Sequence, residues 1–121
     1  MEQDRYLIEL YPWLYPYPND SGTLLDALPS GWRDLILDLC AELRVLLDKY
    51  NLVDKYRVAE AKEKWFMLRW YDYLTDGSEM PQDIVDLVME YEEQSQYVCM
   101  LCGGDISPTE PCCTSCMAIY Y

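Results

Sequence analysis

Two pairs of cysteines near the C-terminus constrain the fold of this chain more than any other feature. The first pair is Cys99-Met100-Leu101-Cys102 and the second is Cys113-Thr114-Ser115-Cys116. This spacing is typical of a zinc ribbon, because each C-x2-C turn offers two thiolates to one side of a tetrahedral metal site. We therefore expect zinc as the cofactor, with four ligands: Cys99, Cys102, Cys113 and Cys116.

The third ligand is open to a second choice, because Cys112 and Cys113 are adjacent. The C-x2-C spacing favours Cys113, whereas Cys112 would need a wider turn. Gly103 and Gly104 follow the first pair, at the point where backbone amides turn toward ligand sulfurs and a side chain would obstruct the close approach. A closed four-cysteine site leaves no position for substrate, so the metal is expected to be structural. Paired dithiols, reduced or disulfide-linked, and an iron-sulfur cluster are the alternatives.

The net charge limits the kinds of partner. Among 121 residues, 22 Asp and Glu stand against nine Lys and Arg, which gives a net charge of -13, and no Lys or Arg follows Arg69. Such a chain repels polyanions and membrane surfaces and attracts basic surfaces. The sequence shows no apolar run long enough to span a bilayer and no secretory signal at its start, so we expect a cytoplasmic protein.

Hydrophobic periodicity predicts an α+β fold, with a mostly helical body at residues 1–97 and a zinc-ribbon module at residues 98–121. Apolar residues recur at steps of three and four over residues 30–50, where Ser30 is placed to cap a helix, and again over residues 81–97. Residues 12–18 alternate proline with aromatic side chains, which suits an extended path. This aromatic segment either straps the core or forms an arm that binds a partner.

Residues 56–73 allow two interpretations. Val58, Ala61 and Trp65 fit helical spacing, whereas the alternation around Leu68 and Trp70 fits a strand. We favour a short strand or hairpin element in the second half. Lys and Arg residues concentrate in this part of the chain among acidic residues, which is typical of a solvated, ion-paired face.

Four carboxylates lie along one side of the second predicted helix. They are spaced by three, four and three residues, and no Lys or Arg of that helix neutralises them: Asp83, Asp86, Glu90 and Glu93. An ordinary solvated face is one interpretation. The other is a phosphate-like ladder that binds a basic partner.

Enzymatic groups are missing from the sequence. The chain has no histidine, no glycine-rich phosphate loop and no nucleophile motif. Its carboxylates follow the periodicity of a surface and not of a buried acid pair. We therefore expect a non-enzymatic protein with no catalytic residue.

An ordered set of sequence blocks resembles a family of small, mostly uncharacterised phage and prophage proteins. The blocks are Gly31-Trp32-Arg33-Asp34-Leu35-Ile36, Lys62-Glu63-Lys64-Trp65-Phe66-Met67-Leu68-Arg69-Trp70-Tyr71, Tyr91-Glu92-Glu93-Gln94-Ser95 and Cys99-Met100-Leu101-Cys102-Gly103. The resemblance covers residues 31–116 and implies a fold and a mobile genetic element expressed inside a bacterium, but no activity. The family usually has Gly-Gly before the Leu-Arg, which implies a tight hairpin. This chain has Phe66-Met67 there, which favours a continuous element.

These features predict a small acidic phage-type protein that inhibits a basic, nucleic-acid-handling defence complex of the infected host. A CRISPR effector or a nuclease would be the partner, bound by DNA mimicry and without direct contact to nucleic acid or membrane. One alternative is a zinc-ribbon nucleic-acid-binding or transcription-regulatory protein, in which Trp65 and Trp70 stack on bases. Its basic residues would be Lys55, Arg57, Lys62, Lys64 and Arg69. Another alternative is a protein adaptor in which zinc is purely structural.

Overall fold

The computed structural model describes residues 9–15 and 23–106. In this part of the chain two helices accompany one antiparallel two-stranded sheet, so the α+β class is confirmed. The elements are α1 (Arg33–Lys49), β1 (Tyr56–Lys64), β2 (Met67–Leu74) and α2 (Gln82–Gln94), with 3₁₀ turns at Pro12–Leu14, Leu24–Ala27, Ser30–Trp32 and Ser95–Tyr97. Residues 107–121, which include Cys112, Cys113 and Cys116, lie outside the described residues.

Helix α1 follows the predicted periodicity but starts later than expected. Ser30 does not cap it; the Ser30 hydroxyl donates to the Leu101 carbonyl at 3.4 Å, and Ser30 opens a 3₁₀ turn instead. The helix ends where Asn51 adopts a left-handed φ of 59°, and the Leu52 amide donates to the Leu47 carbonyl at 2.8 Å. This C-terminal motif uses Asn in the place that glycine usually takes. The buried face of α1 is Ile36, Leu39, Cys40, Leu43 and Leu47.

Strands β1 and β2 form a tight hairpin, so the continuous element favoured by Phe66-Met67 is wrong. Lys64 pairs with Met67, which leaves Trp65 and Phe66 as a two-residue turn. Both turn residues have positive φ, 57° and 64°, as a type I′ turn requires. Aromatic residues are poor in this conformation, at about 1–2 kcal/mol each. The pairing is fixed by burial of one sheet face, which outweighs the turn preference.

Trp13 connects the N-terminal segment to the centre of the core. Its side chain is fully buried, its indole N–H donates to Cys40 Sγ at 3.3 Å, and its ring meets the Tyr56 ring edge-on at 5.5 Å. Leu14 beside it is also buried, so the strap interpretation is confirmed for this part of the segment. The backbone at Pro12–Leu14 forms a 3₁₀ turn and not the extended path expected. Residues 16–18 lie outside the described residues.

Helix α2 closes the outer edge of β2 with side chains. The Leu68 amide donates to Ser95 Oγ at 2.8 Å, and the Trp70 amide donates to Glu92 Oε2 at 2.9 Å. An uncovered strand edge would offer these amides to other chains. The hairpin is therefore attached to α2 by hydrogen bonds as well as by packing.

A chain of polar side chains links the two strands of the hairpin. The Trp70 indole donates to the Tyr56 hydroxyl at 2.9 Å, and that hydroxyl donates to Asp72 Oδ2 at 2.7 Å. Burial raises the pKa of the Asp72 carboxyl, and the pKa of Tyr56 is raised mainly by burial as well.

Within residues 9–15 and 23–106, no helix combines the length and apolar character needed to cross a bilayer.

Candidate functional site

The first cysteine pair forms a turn whose amides point at the two sulfurs. The Leu101 amide donates to Cys99 Sγ and the Gly104 amide donates to Cys102 Sγ, each at 3.4 Å. The turn is closed by the Cys99 amide, which donates to the Gly104 carbonyl at 2.7 Å, and by the Gly103 amide on the Cys99 carbonyl at 2.9 Å. Amide donors stabilise a thiolate, the form of cysteine that binds metals. The arrangement expected from Gly103 and Gly104 is therefore present, and we call residues 99–104 the knuckle.

The knuckle is packed against the start of α1. The Gly31 amide donates to the Met100 carbonyl at 2.8 Å, and the Trp32 indole donates to the Val98 carbonyl at 3.2 Å. A Cβ atom on Gly31 would lie 2.1 Å from the Cys99 carbonyl oxygen, so only glycine fits there. Cys99 is consequently buried beneath this contact, whereas Cys102 is exposed.

A groove of about 420 Å³ opens beside Cys102, between the knuckle and the first turns of α1. Its walls include Gly31, Asp34, Asp38 and Val98. Among the residues that the structure describes, no three potential metal ligands come together. The other two predicted zinc ligands, Cys113 and Cys116, lie outside the described residues.

The four predicted carboxylates of α2 are not equivalent. Asp83 is half-buried, accepts a hydrogen bond from the Tyr50 hydroxyl at 2.9 Å and lies 3.6 Å from Lys49 Nζ. A basic residue of α1 therefore neutralises it, which the sequence of α2 alone does not reveal. Asp86, Glu90 and Glu93 are exposed in one row.

Within the described part of the chain, the side chains that contact two members of this row are neutral amides. Gln82 donates to Asp86 Oδ1 at 2.9 Å, and Gln94 donates to Glu90 Oε1 at 3.3 Å. The charges of these carboxylates are therefore retained. We call Asp86, Glu90 and Glu93 the acidic row.

Carboxylates from α1 approach the acidic row across the helix pair. The Tyr91 hydroxyl donates to Glu42, and its pKa is raised first by partial burial, then by Glu42, Asp38 and Glu90. The charges of three carboxylates from two helices thus act on one hydroxyl. Sequence reasoning missed this group because Tyr91 and Glu42 are far apart along the chain and no periodicity within one helix reports the contact.

The outer face of the hairpin carries the opposite charge. Lys62 lies 3.4 Å from Glu60 and sits over the Tyr71 ring at 5.8 Å, and Trp65 at the turn is 78% exposed. The basic residues on this face are Arg57, Lys62, Lys64 and Arg69.

Two residues of the predicted nucleic-acid-binding set are engaged elsewhere. Trp70 is buried, and its indole is bonded to Tyr56, so it cannot stack on a base. Lys55 lies 3.2 Å from Asp76.

Comparisons of the chain with protein-family models, with curated proteins and with solved structures give no match.

Proposed function

We propose that this chain is a non-enzymatic phage-type protein that binds and inhibits a basic, nucleic-acid-handling complex of host defence. The acidic row is the binding surface, and the partner is a cationic channel such as that of a CRISPR effector or a nuclease. One observation carries the proposal: three exposed carboxylates share one face of α2, and α2 contains no Lys or Arg. Asp83 belongs to the predicted set, but its pairing with Lys49 gives it a structural part in the helix pair.

The physics of the acidic row favours a cationic protein over other partners. Asp86 and Glu93 are seven residues apart, so the row extends about 10 Å along the helix. The whole chain has a net charge of -13, so the acidic row and the rest of the chain together attract a positively charged groove, speed association with it and repel nucleic acid. The resulting association should weaken as salt rises, since exposed charges are screened within about 8 Å at physiological ionic strength.

Zinc is proposed as the stabiliser of the C-terminal module. Cys99, Cys102, Cys113 and Cys116 would bind one structural zinc ion, and the amide donors at Cys99 and Cys102 fit thiolate ligands. In so small a module the metal takes the place of a hydrophobic core.

The hairpin supports a second candidate, binding of single-stranded nucleic acid. Trp65 is exposed for stacking and four basic side chains lie on the same face. Glu60 and Glu63 offset part of that charge, and the chain as a whole is strongly anionic. The acidic row is therefore the better supported surface.

The test is a pull-down from host lysate with two charge variants. In the first, Asp86, Glu90 and Glu93 are replaced by Lys; in the matched control, the exposed residues Glu9, Asp54 and Glu79, outside α1 and α2, are replaced by Lys. Both variants change the net charge equally. The proposal predicts that a nuclease or CRISPR effector is captured by the native chain and the control but not by the first variant. Equal loss from both variants, or from neither, would contradict it.

A further inference from the structure

An apolar groove lies beside the acidic row, where the antiparallel helices α1 and α2 separate at the surface. It has a volume of about 320 Å³ and is lined by Glu42, Val45, Leu46 and Leu87. Val45 is 68% exposed, so its apolar side chain is accessible at the groove.

Two contacts between the helices lie near the groove. The Tyr91 hydroxyl donates to Glu42, which lines the groove, and farther along the helix pair Lys49 and Tyr50 contact Asp83. The lining residues of α1 extend from Glu42 to Leu46, so the groove covers about 6 Å of that helix, or one turn. Two apolar side chains one turn apart would fill that length.

Charge around the groove is negative. Glu42 lines the groove, and Asp38 and Glu90 lie close enough to Tyr91 to raise its pKa. Lys49 of α1 is already paired with Asp83. An occupant must therefore be apolar where it meets Val45 and Leu87 and basic on both sides.

We propose that this groove binds a short amphipathic basic helix of the partner. The helix would bury two apolar side chains, at positions i and i+4, between Val45 and Leu87, while its Lys and Arg residues meet Glu42 and Glu90. Helix-in-groove recognition uses this combination of apolar anchors and flanking charge. The inference rests on the proposed function and adds that the acidic surface recognises a helix and not charge alone.

Two synthetic helical peptides test the proposal against the full chain. Both carry the same number of Lys and Arg residues; one has Leu at i and i+4, and the other has Gln at these positions. The proposal predicts that the Leu peptide binds at least tenfold more tightly in calorimetry at physiological salt. Val45→Gln should remove most of that difference, whereas the matched control Met89→Gln, at a 60% exposed residue outside the groove lining, should leave it unchanged.

The outcomes separate this inference from the proposed function. Equal binding of the two peptides, lost when the acidic row is reversed to Lys, would overturn the groove and retain charge-based recognition. Peptide binding that survives reversal of the acidic row would contradict the proposed function. A mass that doubles with concentration and falls on Val45→Gln would assign the groove to a second copy of the chain and overturn the peptide proposal. Circular dichroism checks that each variant keeps its helices.

Discussion

Gly31→Ala should detach the knuckle from α1. The new Cβ would lie 2.1 Å from the Cys99 oxygen, 2.6 Å from the Met100 carbonyl carbon and 2.8 Å from the Gly103 nitrogen. All three are backbone atoms, so no side chain can rotate away to make room. A displacement of roughly 1 Å would stretch the 2.8 Å hydrogen bond between Gly31 and Met100 beyond useful range.

The expected loss follows from the contacts that this displacement breaks. The Gly31 amide bond to Met100 and the Trp32 indole bond to Val98 contribute about 0.5–1.5 kcal/mol each. Exposure of the buried Cys99 and its neighbours adds about 1 kcal/mol. The free energy of unfolding should therefore fall by about 2–4 kcal/mol, within the range of a disrupted close contact.

Gly77→Ala is the matched control. Gly77 has a φ of 76° and nothing within 4 Å of its Cβ position, so alanine there costs about 1 kcal/mol from backbone strain alone. Urea unfolding followed by tryptophan fluorescence gives both free energies, and thiol labelling reports the exposure of Cys99. Only Gly31→Ala should accelerate that labelling. Equal destabilisation by the two substitutions, with unchanged labelling, would refute the contact between Gly31 and the knuckle.

Three further predictions concern the turn, the metal and a buried carboxyl. Trp65 is strained at φ 57° and its side chain is mostly exposed. In urea unfolding, the free energy of unfolding of Trp65→Gly should therefore exceed that of Trp65→Ala by about 1 kcal/mol, and equal stability would contradict the strain. Cys99→Ser or Cys116→Ser should abolish zinc binding, as measured by mass spectrometry of the native protein. The control Cys40→Ala should retain one zinc ion, because Cys40 is buried in the core and burial raises its pKa to about 12. Zinc retained in Cys116→Ser would exclude Cys116 as a ligand. Folding raises the pKa of Asp72, so the stability that this carboxyl contributes is present below the ordinary aspartate pKa of about 3.9 and is lost as pH rises through the folded pKa. The stability gained by Asp72→Asn should therefore be absent below about pH 3.9 and appear as pH rises through the folded pKa, as measured by urea unfolding at several pH values. A gain independent of pH would contradict the burial of this carboxyl.

Much of the helical part of the fold could be predicted from sequence because each helix has one apolar face. Ile36, Leu43 and Ile84 are all buried as their periodicity indicates. The hairpin could be predicted only in part. Its turn residues, Trp65 and Phe66, contradict the usual preference for Asn and Gly, and the burial of one sheet face decided the pairing instead.

In the candidate site, local geometry could be predicted from the sequence, but contacts between residues distant in the sequence could not. Gly103 and Gly104 indicated amides directed at the cysteine sulfurs, since that geometry is local. The seat of the knuckle on Gly31 and the neutralisation of Asp83 by Lys49 join residues more than 30 positions apart. No pattern within a single helix or turn encodes such contacts, so they had to come from the structure.

The most direct measurement is a competition experiment with a purified nuclease or CRISPR effector and labelled nucleic acid. The chain should displace the nucleic acid from the effector at physiological salt and lose that effect when Asp86, Glu90 and Glu93 are reversed to Lys. A gel shift without the effector should show no complex between the chain and the nucleic acid. Stable binding of the chain to the nucleic acid itself, or displacement that survives the reversal, would contradict an acidic surface built to bind a cationic protein.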